Sequence, residues 1–318
     1  MRNVEQALID FLTAAAPPGP GVALSIGDDA AVLDLAGTGN LVVAVDTISD
    51  GVDFHLGKVD PQRIGRKALA VNLSDLAAMA ATPRAAVVAL AMPRDGTLDL
   101  ATRLWAGMRT LSDEFGCPIV GGDTGAFDGP LTLSVTVLGS LEGRAPLLRS
   151  AARPGDAVVV TGRLGGSILG HHLDFTPRVR EALALKKNYE LHAGIDISDG
   201  LALDLTRLCR ASGVGATLWA DKIPVAPAAF EMARRAGGRA TALDHALSDG
   251  EDFELLFTAP WPVAEQLVRD RPVHPTWVTI IGRIKTGGEL TLVVEGRPRE
   301  LQPAGWTHQF GRQEHECG

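Results

Sequence analysis

The residues of this chain best suited to chemistry are aspartates, and they recur in small clusters beside glycine, serine or asparagine. The clusters are Asp28-Asp29, Asp46-Thr47, Asn72-Leu73-Ser74-Asp75, Gly122-Asp123-Thr124, Asp196-Ile197-Ser198-Asp199 and Gly250-Glu251-Asp252. Each adjoins an apolar run, so each acid is expected at the end of a buried strand, where the chain meets solvent. A single acid so placed is ordinarily a helix N-cap or a turn residue. Six clusters meeting in one place would repel one another severely and would need cations to offset the charge. Carboxylate oxygens without histidine or cysteine beside them suit Mg2+ rather than zinc. Mg2+ held by one or two carboxylates at a time takes its remaining ligands from water and polyphosphate. An acidic pocket therefore makes sense as a nucleotide site only if several metal ions bridge it to the anion.

The familiar nucleotide signatures are missing. There is no GxxxxGK[ST] and no HRD or DFG set, which excludes the P-loop and protein-kinase mechanisms. Gly162-Arg163-Leu164-Gly165-Gly166-Ser167 lies between a strand and a helix but lacks the lysine, and reads first as a tight turn.

The elements that must position these acids follow from periodicity. Val4, Leu8, Ile9 and Leu12 share one face of an N-terminal helix, which Pro17 to Pro20 end. Leu41 to Val45 is a β-branched run ending at Asp46, and reads as a strand. Pro61 opens a helix running to Ala80. Ala85 to Ala91 reads as a strand, Leu98 to Phe115 as a helix, and Leu131 to Leu138 as a strand with one polar face. These elements predict a sheet covered by helices on one side. Arg153-Pro154-Gly155-Asp156 is turn-forming and marks a boundary between domains at 1–150 and 151–318. The second half alternates strands with helices. Strands are expected at Ala157 to Thr161, Gly194 to Ile197, Ala216 to Leu218, Leu255 to Thr258, Val278 to Ile281 and Leu290 to Val294. Helices are expected at Leu201 to Ala211, Pro227 to Ala236 and Trp261 to Asp270.

Bulk composition narrows the class. The 318 residues are 46% hydrophobic and 21% charged, which is ample for a globular α/β chain of two domains. A formal net charge of -8 disfavours a general nucleic-acid binder, although local cations can still hold a small anion. Cys117, Cys209 and Cys317 are widely spaced with no CxxC pair, which argues for a reducing compartment and against a zinc site or disulfide framework. No signal peptide is visible, and no run approaches the ~18 apolar residues of a membrane span. The expected location is the cytoplasm.

The clusters, in this order, resemble those of the thiamine-monophosphate kinases, within the superfamily named for aminoimidazole ribonucleotide synthetase. The matching segments are Gly27 to Val32, Asp46-Thr47, Lys67 to Met79, Gly121 to Thr124, Asp196 to Leu201 and Gly250 to Leu255. The resemblance implies an α/β (α+β) fold of two domains. The N-terminal sheet would pair with that of a second subunit in a barrel-like homodimer core, beside a C-terminal α/β domain. ATP and Mg2+ would lie between the domains, and the reaction would make thiamine diphosphate from thiamine monophosphate.

Residue by residue, Asp29, Asp46, Asp75, Asp123, Asp196 and Asp199 match the family's Mg2+ ligands. Gly122, Asp123, Arg149 and Ser198 match positions at ATP, and Glu251 and Trp306 match positions at thiamine phosphate. Arg149 also reads as a surface cation, and Trp306 equally as core packing. Two departures stand out. Asp53 occupies the place of the family's substrate-contacting histidine, with His55 two residues on, and Ala44-Val45 stand where some relatives carry hydroxyl residues. An aspartate there would repel phosphate but could bind a cation or a hydroxyl. Two other readings stay open: amide or carbamoyl activation by a relative such as a hydrogenase maturation factor, prompted by Cys317, and a non-catalytic nucleotide-binding protein.

Overall fold

The computed structural model describes residues 22–24, 28, 30–35 and 39–307. The expected N-terminal helix, Asp29 and Cys317 lie outside them.

The first half is a six-stranded sheet with two long helices. Its elements are β1 (Val22–Leu24), β2 (Ala31–Leu35), β3 (Gly39–Ser49), α1 (Pro61–Ala78), β4 (Thr82–Pro93), α2 (Leu98–Phe115), β5 (Ile119–Phe127) and β6 (Thr132–Ser140). The strand order is β1-β2-β3-β6-β4-β5, antiparallel except for the parallel pair β4 and β5. Val42, Ala44 and Ile48 of β3 join Leu133, Val135 and Val137 of β6 in the core, and the alternate residues face outward.

Two strands run further than the apolar pattern suggests. Asp46 and Asp123 therefore sit inside strands β3 and β5, not at their ends. Backbone pairing continues past each acid, because Asp46 pairs with Val135 and Asp123 with Ala89. Side chains on an outward row need not be apolar, so hydrophobicity alone stops the count too soon.

Helix α1 begins at Pro61, with Asp60 as N-cap accepting from the Gln62 N–H at 2.7 Å. Thirteen of its 18 residues are buried, which marks a helix enclosed on nearly all sides. It packs on α2 through a reciprocal glycine contact. A Cβ on Gly65 would lie 1.9 Å from the Leu104 carbonyl oxygen, and one on Gly107 would lie 1.8 Å from that of Gln62. Only glycine allows the two backbones to come so close.

The second half contains β7 (Ala157–Thr161), α3 (His171–Asp174), α4 (Val179–Asn188), β8 (Gly194–Asp196), α5 (Leu201–Ser212), β9 (Gly215–Trp219), α6 (Pro227–Arg235) and α7 (Ala242–Ser248). It closes with β10 (Leu255–Ala259), α8 (Trp261–Asp270), β11 (Val278–Lys285), β12 (Leu290–Val294) and β13 (Arg297–Glu300). The sheet order is β13-β12-β9-β11-β7-β10-β8, with β9 and β12 the one parallel pair. One hydrophobic cluster joins the two halves: Leu69 and Leu73 of α1 share it with Val159 of β7, Leu185 of α4 and Phe257 of β10. Helix α1 thus stands between the sheets, and its polar residues decide what meets there.

Candidate active site

Helix α1 reaches four separate parts of the chain. The Asn72 carboxamide oxygen accepts from the Asp46 N–H at 2.9 Å, while its nitrogen donates to the Ala68 carbonyl at 2.9 Å. The Ser74 hydroxyl donates to Asp196 Oδ2 at 2.6 Å, and both residues are buried. Asp75 follows Ser74 and is half-buried. Two turns earlier in α1, the Lys67 ammonium donates to the Asp53 carbonyl at 2.9 Å and forms an ion pair with Glu251. Glu251 in turn donates its N–H to the Ser198 carbonyl at 2.6 Å. Clusters far apart in sequence are therefore tied to one helix, at its junction with β3, β8 and the loop before β10.

A second group of charges adjoins it. Asp199 forms an ion pair with Arg207 of α5, and its N–H donates to Asp204 Oδ2 at 2.9 Å. Arg207 also reaches Asp204 Oδ1 at 2.8 Å. Asp204 is fully buried, and burial, then the charge of Asp199, pushes its carboxyl up to about 7 against the pull of Arg207. Burial would lower the Arg207 guanidinium, but the Asp199 and Asp204 carboxylates outweigh it and hold it above the ordinary arginine range. Arg149 donates its N–H to Asp28 Oδ2 at 3.1 Å and lies close enough to Arg207 for the two cations to repel. The Trp306 N–H donates to the Asp199 carbonyl at 2.9 Å, which brings this half-exposed ring to the same place.

The loop before β10 is held in an uncommon shape. Gly250, Glu251 and Phe253 have φ of 75°, 54° and 49°, in the left-handed region that ordinary side chains avoid. Surrounding contacts enforce it. Phe253 stacks on Phe175 with centroids 4.0 Å apart, and its N–H donates to the Ile197 carbonyl at 2.8 Å. Asp252 is buried with both carboxylate oxygens on the Gly165 N–H, at 2.9 and 3.0 Å. Burial raises its carboxyl well above the usual range. The Gly166 N–H is taken by Asp249 at 2.8 Å. The glycine-rich segment therefore cradles two of the protein's own carboxylates.

The remaining expected site residues are placed less centrally. Asp53 turns its carboxylate onto the Ser49 N–H at 2.7 Å, closing its own turn. Gly122 pairs with Val88 in the cross-strand row of Asp46 and Val135, whereas Asp123 lies in the next row with Ala89, Ser134 and Thr47. A Cβ at Gly122 would lie 1.9 Å from the Val88 carbonyl oxygen, so close strand approach explains the glycine. Among the described residues, no three histidine, cysteine or acidic side chains stand together as a ready metal cage. Sequence reasoning assigned no role to Lys67, Asn72, Ser74, Asp204 or Arg207. The first three lie within the matched segment from Lys67 to Met79, and the i,i+3 spacing of Asp204 and Arg207 was a legible helical ion pair.

Comparison with known proteins follows this geometry. The N-terminal domain of the AIR synthase related proteins matches residues 27–141, and their C-terminal domain matches residues 153–295. Over 314 residues the chain is 41% identical to the thiamine-monophosphate kinase of Rhodopirellula baltica, covering 96% of this chain and 97% of that protein. The chain belongs to the thiamine-monophosphate kinase family. A solved thiamine-monophosphate kinase fold, AaThiL complexed with AMPPCP and TMP, has a TM-score of 0.82 at 28% identity, covering 97% of this chain and 99% of that one. The hydrogenase maturation protein HypE of E. coli has a TM-score of 0.70 at 22% identity, covering 94% of this chain and 97% of that one. That second likeness shows only that the kinase family shares its fold with the maturation protein. No helix among the described residues is long and apolar enough to cross a membrane.

Proposed function

We propose that this protein transfers the γ-phosphoryl group of ATP to the phosphate of thiamine monophosphate, giving thiamine diphosphate and ADP. Supporting it above all is the gathering of sequence-distant acidic clusters around α1, in a chain similar end to end to a thiamine-monophosphate kinase.

The acceptor needs no general base. A phosphate monoester has a second pKa near ~6 and is largely dianionic at pH 7. One of its oxygens bonds to the γ-phosphorus while the bond from that phosphorus to the β–γ bridging oxygen breaks, and ADP leaves with the electron pair. Alignment and charge compensation are what the protein must supply. Arg149 and Ser198 take the nucleotide phosphates, with Gly122 and Asp123 at the nucleotide from the first sheet. Glu251, Trp306 and the Asp53 turn take thiamine monophosphate. Because the Asp53 carboxylate is engaged by the Ser49 N–H, part of its charge is compensated where the family carries histidine.

The donor chemistry fits Mg2+. Asp46, Asp75, Asp196 and Asp199 offer hard oxygen ligands from both domains, Asp123 would join from the outward face of the first sheet across its pairing with a second copy, and Asp29 would add a sixth carboxylate. Bound there, Mg2+ would neutralise the triphosphate. The domains at 1–150 and 151–318 would each contribute ligands. The outward face of the first sheet exposes Val45, Val87 and Phe127, an apolar area suited to pairing with a second copy as a homodimer. The reading places this enzyme in the cytoplasm.

Product analysis tests it. Phosphorus NMR of protein, ATP, Mg2+ and thiamine monophosphate should show thiamine diphosphate and ADP accumulating one for one, with little ADP when the acceptor is omitted. Acceptor-independent ADP release, or no thiamine diphosphate, would refute the proposal.

A further inference from the structure

Lys67 is wholly buried, yet its ammonium meets one group from each half of the protein: the Asp53 carbonyl and the Glu251 carboxylate. A buried ammonium is costly unless it is paired, so a wholly buried Lys67 beside the apolar run Ala68 to Val71 calls for a physical reason. Neither partner is a simple structural anchor. Asp53 ends a tight turn built on Ser49, whose carbonyl accepts the Val52 and Asp53 N–H groups. Glu251 has a left-handed backbone fixed by its bond to the Ser198 carbonyl.

We infer that Lys67 is a positioning residue that locks the Asp53 turn to the Glu251 loop, so that the acceptor-binding groups of the two domains are held in register. With no exposed surface, it acts through those two groups and does not touch substrate itself. The inference deepens the proposed function and rests on its placement of thiamine monophosphate at these loops. Removing the ammonium would leave the Glu251 carboxylate, which is 30% exposed, free to swing toward water, and would release the turn at 50–54. The loss falls on acceptor binding. The Lys67 ammonium takes no part in the bonds at the ATP contacts: Arg149 is held by Asp28, and Ser198 by the backbone N–H of Glu251, which keeps its left-handed turn without the side-chain ion pair.

The test uses the full chain, with Lys67→Met and Glu251→Gln separately and together. Lys67→Met should raise KM for thiamine monophosphate by about tenfold or more and leave KM for ATP within about twofold. The double variant should raise KM by less than the product of the two single effects, since both changes break one link even though Glu251→Gln also alters an acceptor contact. Hydrogen exchange on the ligand-free protein gives a readout that needs no substrate. Glu251→Gln should speed exchange of the amides at 51–54, although those lie in the other domain. Multiplying single-variant effects, equal increases in both KM values, or unchanged exchange at 51–54 would overturn the inference. Should Lys67→Met fail to fold, the exchange pattern of Glu251→Gln decides the matter alone. If the wild-type protein ignores thiamine monophosphate, the acceptor reading fails, while the exchange result still judges the link through Lys67.

Discussion

Replacing Gly107 by alanine probes how tightly the site-bearing helix is held. The new Cβ would lie 1.8 Å from the Gln62 carbonyl oxygen, where ordinary contact begins at 3.4 Å, so the backbones must separate by 3.4 − 1.8 = 1.6 Å. Both neighbours are backbone, so no side chain can rotate away. Overpacking of this kind costs about 1–3 kcal/mol, against about 1 kcal/mol gained because alanine favours a helix more than glycine. A net loss of up to about 2 kcal/mol is expected, read as a fall of up to a few degrees in Tm or a lower urea midpoint at unchanged slope. The strain should move α2 rather than α1. Only Leu104, Gly107, Met108, Leu111 and Ser112 of α2 are buried, whereas α1 is held by both sheets. Turnover should therefore stay within about threefold of wild type even as stability drops. A Gly107→Ala protein more stable than wild type would refute the close approach of the two helices, and with it the account of why α1 is so rigidly placed.

Three further outcomes are expected. Asp123→Asn should lower acceptor-dependent turnover by about tenfold or more in a steady-state ADP assay, and intact turnover would remove it from the metal ligands. Asp204, raised from 3.8 to about 7, stays protonated in the folded chain after the unfolded chain has lost its proton. Its contribution to stability is thus full below about pH 4 and lost as pH rises through about 7, at most about 4 kcal/mol. Urea midpoints between pH 5 and 8 should fall more steeply for wild type than for Asp204→Asn, and parallel profiles would contradict this. Burial pushes the Cys117 thiol up to about 11 and the Cys209 thiol up to about 12. With Cys317→Ser removing the third thiol, a native sample at pH 8 should show no fast reaction with a disulfide reagent, and rapid labelling of either buried cysteine would be contrary.

Much of the scaffold was legible in the sequence because its elements keep a clean period. α2, α8, β7 and β12 begin and end where their apolar patterns and turn residues predict. The ends of β3 and β5 were not legible, since the polar residues Asp46, Thr47 and Ser49 and the glycines around Asp123 break the apolar pattern. β13, Arg297–Glu300, is exposed along its length and pairs only at the sheet edge, so nothing in its composition announces a strand. The acidic clusters could be recognised one by one, but their anchors could not. Asn72 bonds to a residue 26 positions away, Ser74 to one 122 away and Lys67 to one 184 away. Those pairings exist only because α1 is enclosed between two sheets. Asp53 illustrates the converse: its type suggested repulsion of phosphate, while its local turn commits the carboxylate to Ser49.

The most direct test of the account is to locate divalent ions by anomalous scattering from a Mn2+-soaked crystal holding a non-hydrolysable ATP analogue. Manganese should appear within ligand distance of carboxylates drawn from both domains, among them Asp46, Asp75, Asp196 and Asp199, and on the phosphate oxygens. Manganese bound away from these side chains, or a triphosphate seated without any of them nearby, would contradict it.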